Sequence, residues 1–152
     1  MIGNLGLRLA TLDDAAAIAR MSRDLSEQGL GWSWTTQRVL RSVRSSDTNV
    51  VLAFEDQRIA GFAIMKYLDV EAHQLLLAVQ PGAQRRGVGT ALARWVEASA
   101  LAAGIGQVYL EVRATNAGAR TFYARLGYVV VQSLPGYYQG REAAVRMARD
   151  LW

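Results

Sequence analysis

The residue types that most clearly imply chemistry form one short basic segment with two glycines: Gln84, Arg85, Arg86, Gly87, Val88, Gly89 and Thr90. The segment follows an apolar run and opens an amphipathic helix that we predict over residues 87–103. The first N–H groups of a helix have no internal partner and carry partial positive charge, and glycine lets an anion approach the backbone. A strand, this segment and a helix start therefore predict a site for a phosphate or pyrophosphate.

Two common phosphate-binding motifs do not fit this segment. A P-loop needs Gly-Lys-Ser/Thr after a glycine and four further residues, and the segment contains no lysine. The dinucleotide fingerprint needs a third small residue where this chain has Leu92. A glycine-containing helix start with exposed arginines, binding nothing, remains the alternative.

Composition limits the classes of function. The chain has 152 residues, of which 51% are hydrophobic, so we expect a single domain over residues 1–152 with a substantial core. It has no cysteine, which excludes a disulfide, a thiolate metal site and a cysteine nucleophile. Its one histidine, His73, excludes a histidine-rich metal site, and we expect no bound metal. A net charge of +4 favours anionic ligands.

Location and partners are predicted from absences in the sequence. The N-terminus has no basic region followed by a long apolar stretch, and no window is long and apolar enough to span a membrane. We therefore expect a cytoplasmic protein without a membrane partner. Basic residues do not alternate with aromatics in any run, so we do not expect nucleic acid as the main partner. The sequence leaves a monomer and a homodimer equally open.

Hydrophobic periodicity and turn residues predict the order β α α β β β α β α β β. The strands are predicted over residues 5–10, 49–54, 59–67, 72–79, 107–113, 128–133 and 142–147. The helices are predicted over residues 11–21, 35–45, 87–103 and 116–126, and a loop over residues 134–140 joins the last two strands. One mixed sheet with helices on both faces, an α/β (α+β) fold, packs these elements naturally.

Three segments carry a resemblance to a known family. The pattern Gln/Arg-x-x-Gly-x-Gly/Ala after a strand resembles the coenzyme A pyrophosphate loop of the GCN5-related N-acetyltransferases (GNAT). Residues 110–128, from Leu-Glu-Val-Arg to Leu-Gly-Tyr, are similar to the family's strand-helix-Leu-Gly-aromatic signature. Residues 136–138, Gly-Tyr-Tyr, and the strand after them resemble the ribosomal-protein-alanine (RimI-like) type. The resemblance covers about residues 50–150 and implies a mostly antiparallel twisted sheet of about seven strands, acetyl-CoA as cofactor and N-acetyltransferase activity.

The same resemblance implies roles for three residues. Glu111 is expected to be the general base, acting through water, and Tyr123 the general acid that protonates the departing thiolate. Asn116 is expected to hydrogen-bond the pantetheine or pyrophosphate side of the cofactor. Ordinary structural roles stay open for each: a strand carboxylate paired with an arginine, a core aromatic beside Phe122, and a helix N-cap.

The remaining site residues also follow from the resemblance. Main-chain groups of Leu77, Ala78 and Val79, freed by a splay or bulge, are expected to bind the pantetheine arm, and residues 85–90 the pyrophosphate. Four aromatics are expected to form the two walls of the acceptor groove: Trp32, Trp34, Tyr137 and Tyr138. Core packing is the alternative for the two tryptophans. His73 has no obvious partner in the sequence and is expected to be a surface or hydrogen-bonded histidine.

Several functions remain open at the level of sequence. Acetylation of a protein N-terminal α-amine, of the ribosomal-protein-alanine type, is the leading hypothesis. A small-molecule amine or a lysine side chain could serve as acceptor with the same chemistry. A non-catalytic acyl-CoA-binding module and an RNA-associated basic protein are the alternatives from other classes.

Overall fold

The computed structural model of the protein describes residues 5–84 and 87–152. Its seven strands are β1 (Leu5–Leu9), β2 (Thr48–Glu55), β3 (Arg58–Tyr67), β4 (Ala72–Val79), β5 (Gln107–Arg113), β6 (Val129–Tyr138) and β7 (Glu142–Asp150). Four α-helices complete it: α1 (Ala15–Met21), α2 (Thr36–Arg44), α3 (Val88–Ala102) and α4 (Ala117–Arg125). The predicted order of elements is confirmed. Across the described ranges, no helix is long and apolar enough to cross a membrane.

All seven strands belong to one sheet with the order β1-β2-β3-β4-β5-β7-β6. The pairs are antiparallel except β4 with β5, which is parallel. Neighbouring antiparallel strands can be joined by tight turns, whereas a parallel pair needs a long crossover. α3 provides that crossover between β4 and β5, and this places its N-terminus beside the end of β4. The predicted mixed, mostly antiparallel sheet is confirmed.

The two faces of the sheet carry different helices. α3 and α4 pack on one face, where Leu92, Val96 and Tyr123 join the inward side chains of β5, Val108 and Leu110. α1 and α2 pack on the other face, over the β2–β4 half of the sheet, in a core that includes the residues Ile18, Trp34, Val39, Leu52 and Phe62. Because successive strand residues point to opposite faces, the residues of β5 between the buried ones lie on the α1–α2 side.

The last hairpin differs from its prediction. Residues 134–138 are strand rather than loop, so β6 continues to Tyr138 and the connection shrinks to residues 139–141. β6 is the edge strand, and its register against β7 shifts between Leu134 and Tyr138. A bulge on an edge strand tolerates Pro135, which lacks an N–H, and Gly136, which adopts φ +64°. The Pro-Gly pair therefore marks a bulge and not the end of the strand.

Candidate functional site

The parallel ladder between β4 and β5 stops early and leaves a gap in the sheet. Only Ala72–Gln74 pair with Val108–Leu110, although β4 continues to Val79 and β5 to Arg113. The register between β3 and β4 also shifts at this point, so that Leu75 is an extra, bulged residue. The two strands thus separate beyond residues 74 and 110, and a bulge bends β4 where the gap begins.

Backbone amides of β4 line this gap. The N–H of Gln80 donates to the carbonyl of Ala60 on β3 at 2.8 Å, which fixes which residues of β4 pair with β3. Alternation along an antiparallel pair then turns the N–H groups of Leu77 and Val79 away from β3, toward the gap, and that of Ala78 toward β3. Of the three residues predicted to offer free backbone groups, two face the gap, and the bulge lies at Leu75, ahead of them.

The start of α3 offers a second set of backbone donors. Gly87 precedes the helix in the left-handed conformation, with φ +82°, which glycine adopts without strain. The N–H of Ala91 donates to the carbonyl of Gly87 at 2.9 Å, and among the described residues it is the first N–H of this helix with an acceptor four residues earlier. The preceding N–H groups are those of Val88, Gly89 and Thr90, the residues predicted for the anion site.

Gly89 explains how closely this helix start approaches the gap. A Cβ at this position would lie 3.2 Å from Cζ of Phe122 on α4 and 3.5 Å from Cγ2 of Val79. The absence of a side chain therefore lets α3, α4 and the end of β4 meet. The predicted contributions of Arg85 and Arg86 lie outside the described residues.

Glu111 lies on β5 where the gap opens, and both of its carboxylate oxygens are engaged. Oε1 lies 2.5 Å from Nε2 of His73 and accepts from the Tyr137 hydroxyl at 3.2 Å, while Oε2 accepts from Nε of Arg146 at 2.7 Å. Its side chain is only 6% exposed. Burial alone would raise the pKa of Glu111, but the hydrogen bonds from His73 and Arg146 outweigh it and lower the pKa. Glu111 is therefore an anion held in place. It is paired with Arg146, which is the structural role that the sequence left open for it.

His73 has a defined partner that the sequence did not identify, and it is the hydrogen-bonded histidine that was one of the two expected alternatives. The parallel pairing of β4 with β5 places it opposite Tyr109, and the two rings stack with centroids 4.3 Å apart. The same pairing brings its Nε2 to Glu111, two residues further along β5. The sequence did contain a signal, because His73 and Glu111 lie on two strands that prove to be adjacent, at positions whose side chains face the same side of the sheet. It could be used only with knowledge of which strands are neighbours.

Tyr123 lies on the opposite face, in the core formed with α3 and α4. Its hydroxyl accepts a hydrogen bond from Nε2 of Gln74 at 2.7 Å, and its ring packs edge-on against Phe122 and Tyr128. Burial is the largest influence on its pKa and raises it well above the ordinary value, so the hydroxyl is protonated at neutral pH. Both roles considered from sequence, core aromatic and proton donor, are compatible with this position.

Gln74 is a site residue that the sequence analysis missed. It is 4% exposed, and its Oε1 has no hydrogen-bond partner among the residues that the structure describes. A buried polar oxygen without a partner costs free energy, which a bound donor could recover. A glutamine within the apolar run of β4 was the available signal.

Glu111 and Tyr123 approach the gap from opposite sides of the sheet. Val108 and Leu110 face the core under α3 and α4, so Glu111, out of phase with them, faces the α1–α2 side. A group that passes through the gap would therefore meet the Glu111 carboxylate on one side and the Tyr123 hydroxyl on the other. Asn116 caps α4 beside it, its Oδ1 accepting from the N–H of Ala119 at 3.1 Å. That is the N-cap role allowed from sequence.

The four aromatics predicted to form the acceptor walls occupy different environments. Trp34 is 6% exposed and packs in the core beneath α1 and α2, with the Arg38 guanidinium 3.8 Å from its ring centre. Trp34 therefore packs in the core, which is the alternative that the sequence left open for it. Trp32 is 41% exposed, and its indole N–H donates to the carbonyl of Ala19 at 3.2 Å. Tyr137 and Tyr138 pack edge-on against each other at the end of β6.

A buried carboxylate, Glu27, organises the segment that carries both tryptophans. Its Oε1 accepts from the N–H and hydroxyl of Ser33, and its Oε2 from the hydroxyl of Ser22 and the N–H of Trp34. A carboxylate that accepts several such bonds fixes the conformation of a segment that lacks regular structure. Trp32 lies at the surface within this fixed segment, next to Ser33, whose backbone and hydroxyl bind Glu27.

Two side chains join this segment to the β6–β7 hairpin. The amide of Gln139 accepts from the N–H of Gly31 and donates to its carbonyl, both at 2.9 Å. Arg113 donates to the carbonyl of Ser26 at 3.0 Å and forms an ion pair with Glu142 at 3.2 Å. The segment and the hairpin thus form two connected walls beside Glu111. Gln139 and Gly31 are 108 residues apart, so no local pattern could have indicated their pairing.

Comparison with known proteins places this geometry in a family. The acetyltransferase (GNAT) family matches residues 17–128, and the chain belongs to that family. It is 38% identical over 96 residues, 61% of its length, to a ribosomal protein bS18-alanine N-acetyltransferase of Salmonella typhimurium. The match spans 65% of that relative, slightly under two thirds of its length.

Two further comparisons extend over nearly the whole chain. An N-alpha-acetyltransferase of Saccharolobus solfataricus is 29% identical, with 95% of this chain and 92% of that protein aligned. The crystal structure of the ribosomal-protein-S18-alanine N-acetyltransferase from Escherichia coli superposes with a TM-score of 0.83 and 26% identity. That superposition covers 97% of this chain and 94% of the other. Both the fold and the sequence resemblance to the GNAT family are confirmed.

Proposed function

We propose that the protein transfers an acetyl group from acetyl-CoA to the N-terminal α-amine of a protein. The observation that carries the proposal is the gap between β4 and β5, with helix amides at one end, Tyr123 on one face and Glu111 on the other. Names of relatives that act on α-amines support the acceptor class. Acetylation of a small amine or a lysine side chain is the alternative with the same chemistry.

The residues present fit coenzyme A. The N–H groups of residues 88–90 suit its pyrophosphate, because a helix start binds anions. The N–H groups of Leu77 and Val79 suit the amide-rich pantetheine arm, and the unpartnered Oε1 of Gln74 can accept a hydrogen bond from it. Arg85 and Arg86 would add positive charge near the phosphates. When bound, acetyl-CoA supplies the acetyl group as a thioester.

The acceptor amine must lose a proton before it can attack. An α-amine has a pKa near 8 and a lysine amine about 10.4, so the α-amine is the easier of the two to deprotonate at neutral pH. Glu111 is the anion that stabilises this proton removal. Both of its oxygens already have partners and its pKa is lowered, so it acts on the amine through an intervening group or water.

Tyr123 serves the departing thiolate from the other face. Its raised pKa keeps it protonated, and Gln74 holds its oxygen in place, so its O–H is available to the sulfur. A thiol has an ordinary pKa of about 8.5, so the hydrogen bond stabilises the thiolate as charge develops on it.

A panel of acceptors tests the proposal. Peptides that begin with Ala, Ser or Met are compared with polyamines and with N-terminally blocked, lysine-containing peptides, and acetyl transfer is followed by thiol release. We expect turnover with at least one free-N-terminus peptide and much slower transfer to the other amines. Turnover confined to polyamines or lysine would reject the α-amine acceptor, and coenzyme binding without turnover on any amine would favour a binding module.

Gln139→Ala tests the connected walls as the acceptor groove. Loss of two hydrogen bonds to Gly31 releases the segment that carries Trp32, at a cost of about 1 kcal/mol for each bond. We expect the acceptor KM to rise about five- to tenfold, while the KM for acetyl-CoA stays within twofold, since the cofactor residues lie elsewhere. Gln107→Ala, an exposed glutamine at the start of β5, is the matched control. An unchanged acceptor KM in Gln139→Ala would remove these walls from acceptor binding.

A further inference from the structure

We propose that His73 is the group that takes the proton from the acceptor amine, and that Glu111 acts by orienting and charge-stabilising His73. The inference rests on the proposed function and assigns its proton acceptor. It also gives a role to the single histidine of the chain, which the sequence left without one.

The arrangement is a carboxylate–imidazole pair at the mouth of the gap. Nε2 of His73 lies 2.5 Å from Oε1 of Glu111, and the Tyr109 ring stacks on the imidazole with ring centroids 4.3 Å apart. An ionised carboxylate only accepts hydrogen bonds, so the neutral imidazole carries its proton on Nε2. Nδ1 is then the basic nitrogen, and the side chain is 18% exposed on the face with the acceptor walls.

Glu111 by itself is poorly suited to receive the proton. Arg146 donates to one of its oxygens, while His73 and Tyr137 contact the other, so an amine would compete with three existing partners for the carboxylate. Its pKa lies below an already low ordinary value, far from that of an α-amine near 8. Imidazole is the side chain that most often serves as a general base, and here it is not held by an arginine.

The proton and electron balance is simple. His73 Nδ1 takes one proton from the ammonium group, and the freed lone pair forms the C–N bond to the acetyl carbon. The C–S bond breaks with its electron pair on sulfur, which gains a proton from Tyr123. As the amide forms, the second amine proton passes to solvent. His73 then gives its proton to solvent and Tyr123 takes one back, so the cycle releases one proton overall. Glu111 remains an anion throughout and stabilises the imidazolium, in the way a third group supports a base.

Other charged and titratable groups surround His73 on the same face. Arg146 on β7 counters the charge of Glu111, and its guanidinium lies 5.2 Å from the Tyr109 ring centre. Tyr137 contributes a hydroxyl from β6, and burial raises its pKa, so it stays neutral. Lys66 on β3 lies opposite His73 in the antiparallel register, and Glu71 immediately precedes β4. Variants of these four residues would themselves change the pH response of His73, so the test uses none of them.

The test combines a spectroscopic with a kinetic measurement. The chain contains one histidine, so the imidazole nitrogens in ¹⁵N-histidine-labelled protein are assigned without ambiguity. We expect the neutral ring to carry its proton on Nε2 in the wild type and to lose that preference in Glu111→Gln. This measurement needs no acceptor, so it tests the pair even if the proposed activity fails.

The kinetic part uses His73→Gln. We expect turnover at pH 7 to fall about 100-fold with an unchanged KM for acetyl-CoA, and the defect to shrink to a few-fold at pH 9.5, where the amine is already neutral. A purely structural role would leave the same defect at both pH values. An Nδ1–H tautomer in the wild type, or a defect independent of pH, would overturn the assignment. A wild type inactive on every amine would instead reject the proposed function.

Discussion

Tyr123→Phe should lower turnover about tenfold or more and leave the affinity for coenzyme A within twofold. The change removes only the hydroxyl, so the buried ring keeps its contacts with Phe122 and Tyr128. Under the proposed mechanism, the variant loses the proton donor for the departing thiolate, an effect on the transition state rather than on binding. Turnover is measured by thiol release, and coenzyme affinity by calorimetry.

Tyr128→Phe provides a matched control. Tyr128 is also a buried tyrosine in the same aromatic cluster, but its hydroxyl donates to Glu97 on α3 at 2.9 Å, whereas that of Tyr123 contacts Gln74. We expect this variant to lose about 1 kcal/mol of stability while turnover stays within twofold. Equal losses of turnover in the two variants would attribute both to packing, and Tyr123 would then have no part in the chemistry.

Glu111→Gln should lower turnover about 100-fold, with little change in coenzyme affinity. The amide keeps the shape of the carboxylate but removes the anion that both His73 and Arg146 contact. Under the proposed role of His73, the imidazole then loses its oriented tautomer and the partner that would stabilise its charged form. The loss is measured as kcat/KM for the acceptor at pH 7.

Glu97→Gln separates this effect from the general cost of neutralising a buried carboxylate. Glu97 is 4% exposed and contacts two arginines, Arg94 at 2.7 Å and Arg149 at 2.8 Å. We expect this variant to lose about 1–3 kcal/mol of stability with turnover nearly unchanged. A Glu111→Gln enzyme as active as Glu97→Gln would contradict any role for Glu111 in the reaction.

Much of the fold could be read from local sequence. Strand and helix periods are clear, and glycines such as Gly104 and Gly127 end the helices before β5 and β6, each with positive φ. The last hairpin was misjudged because Pro135-Gly136 signals a turn in most contexts. Only the position of β6 at the sheet edge, which depends on the whole topology, makes a bulge acceptable there.

The candidate site was predictable where one element carries it and not where several meet. The segment at the start of α3 and the positions of Glu111 and Tyr123 were identified from motifs. The partners of these residues come from other elements: Gln74 and His73 from β4, and Arg146 from β7. Their contacts depend on strand order and register, which local patterns do not specify.

The most direct test of the account is the site of acetylation on a single peptide that has both a free N-terminal α-amine and an internal lysine. The peptide is incubated with the protein and acetyl-CoA at pH 7, and fragmentation by mass spectrometry locates the added acetyl group. We expect it on the N-terminal nitrogen, and absent when His73→Gln replaces the wild type over the same short interval. Acetyl groups found mainly on the lysine would contradict the proposed acceptor.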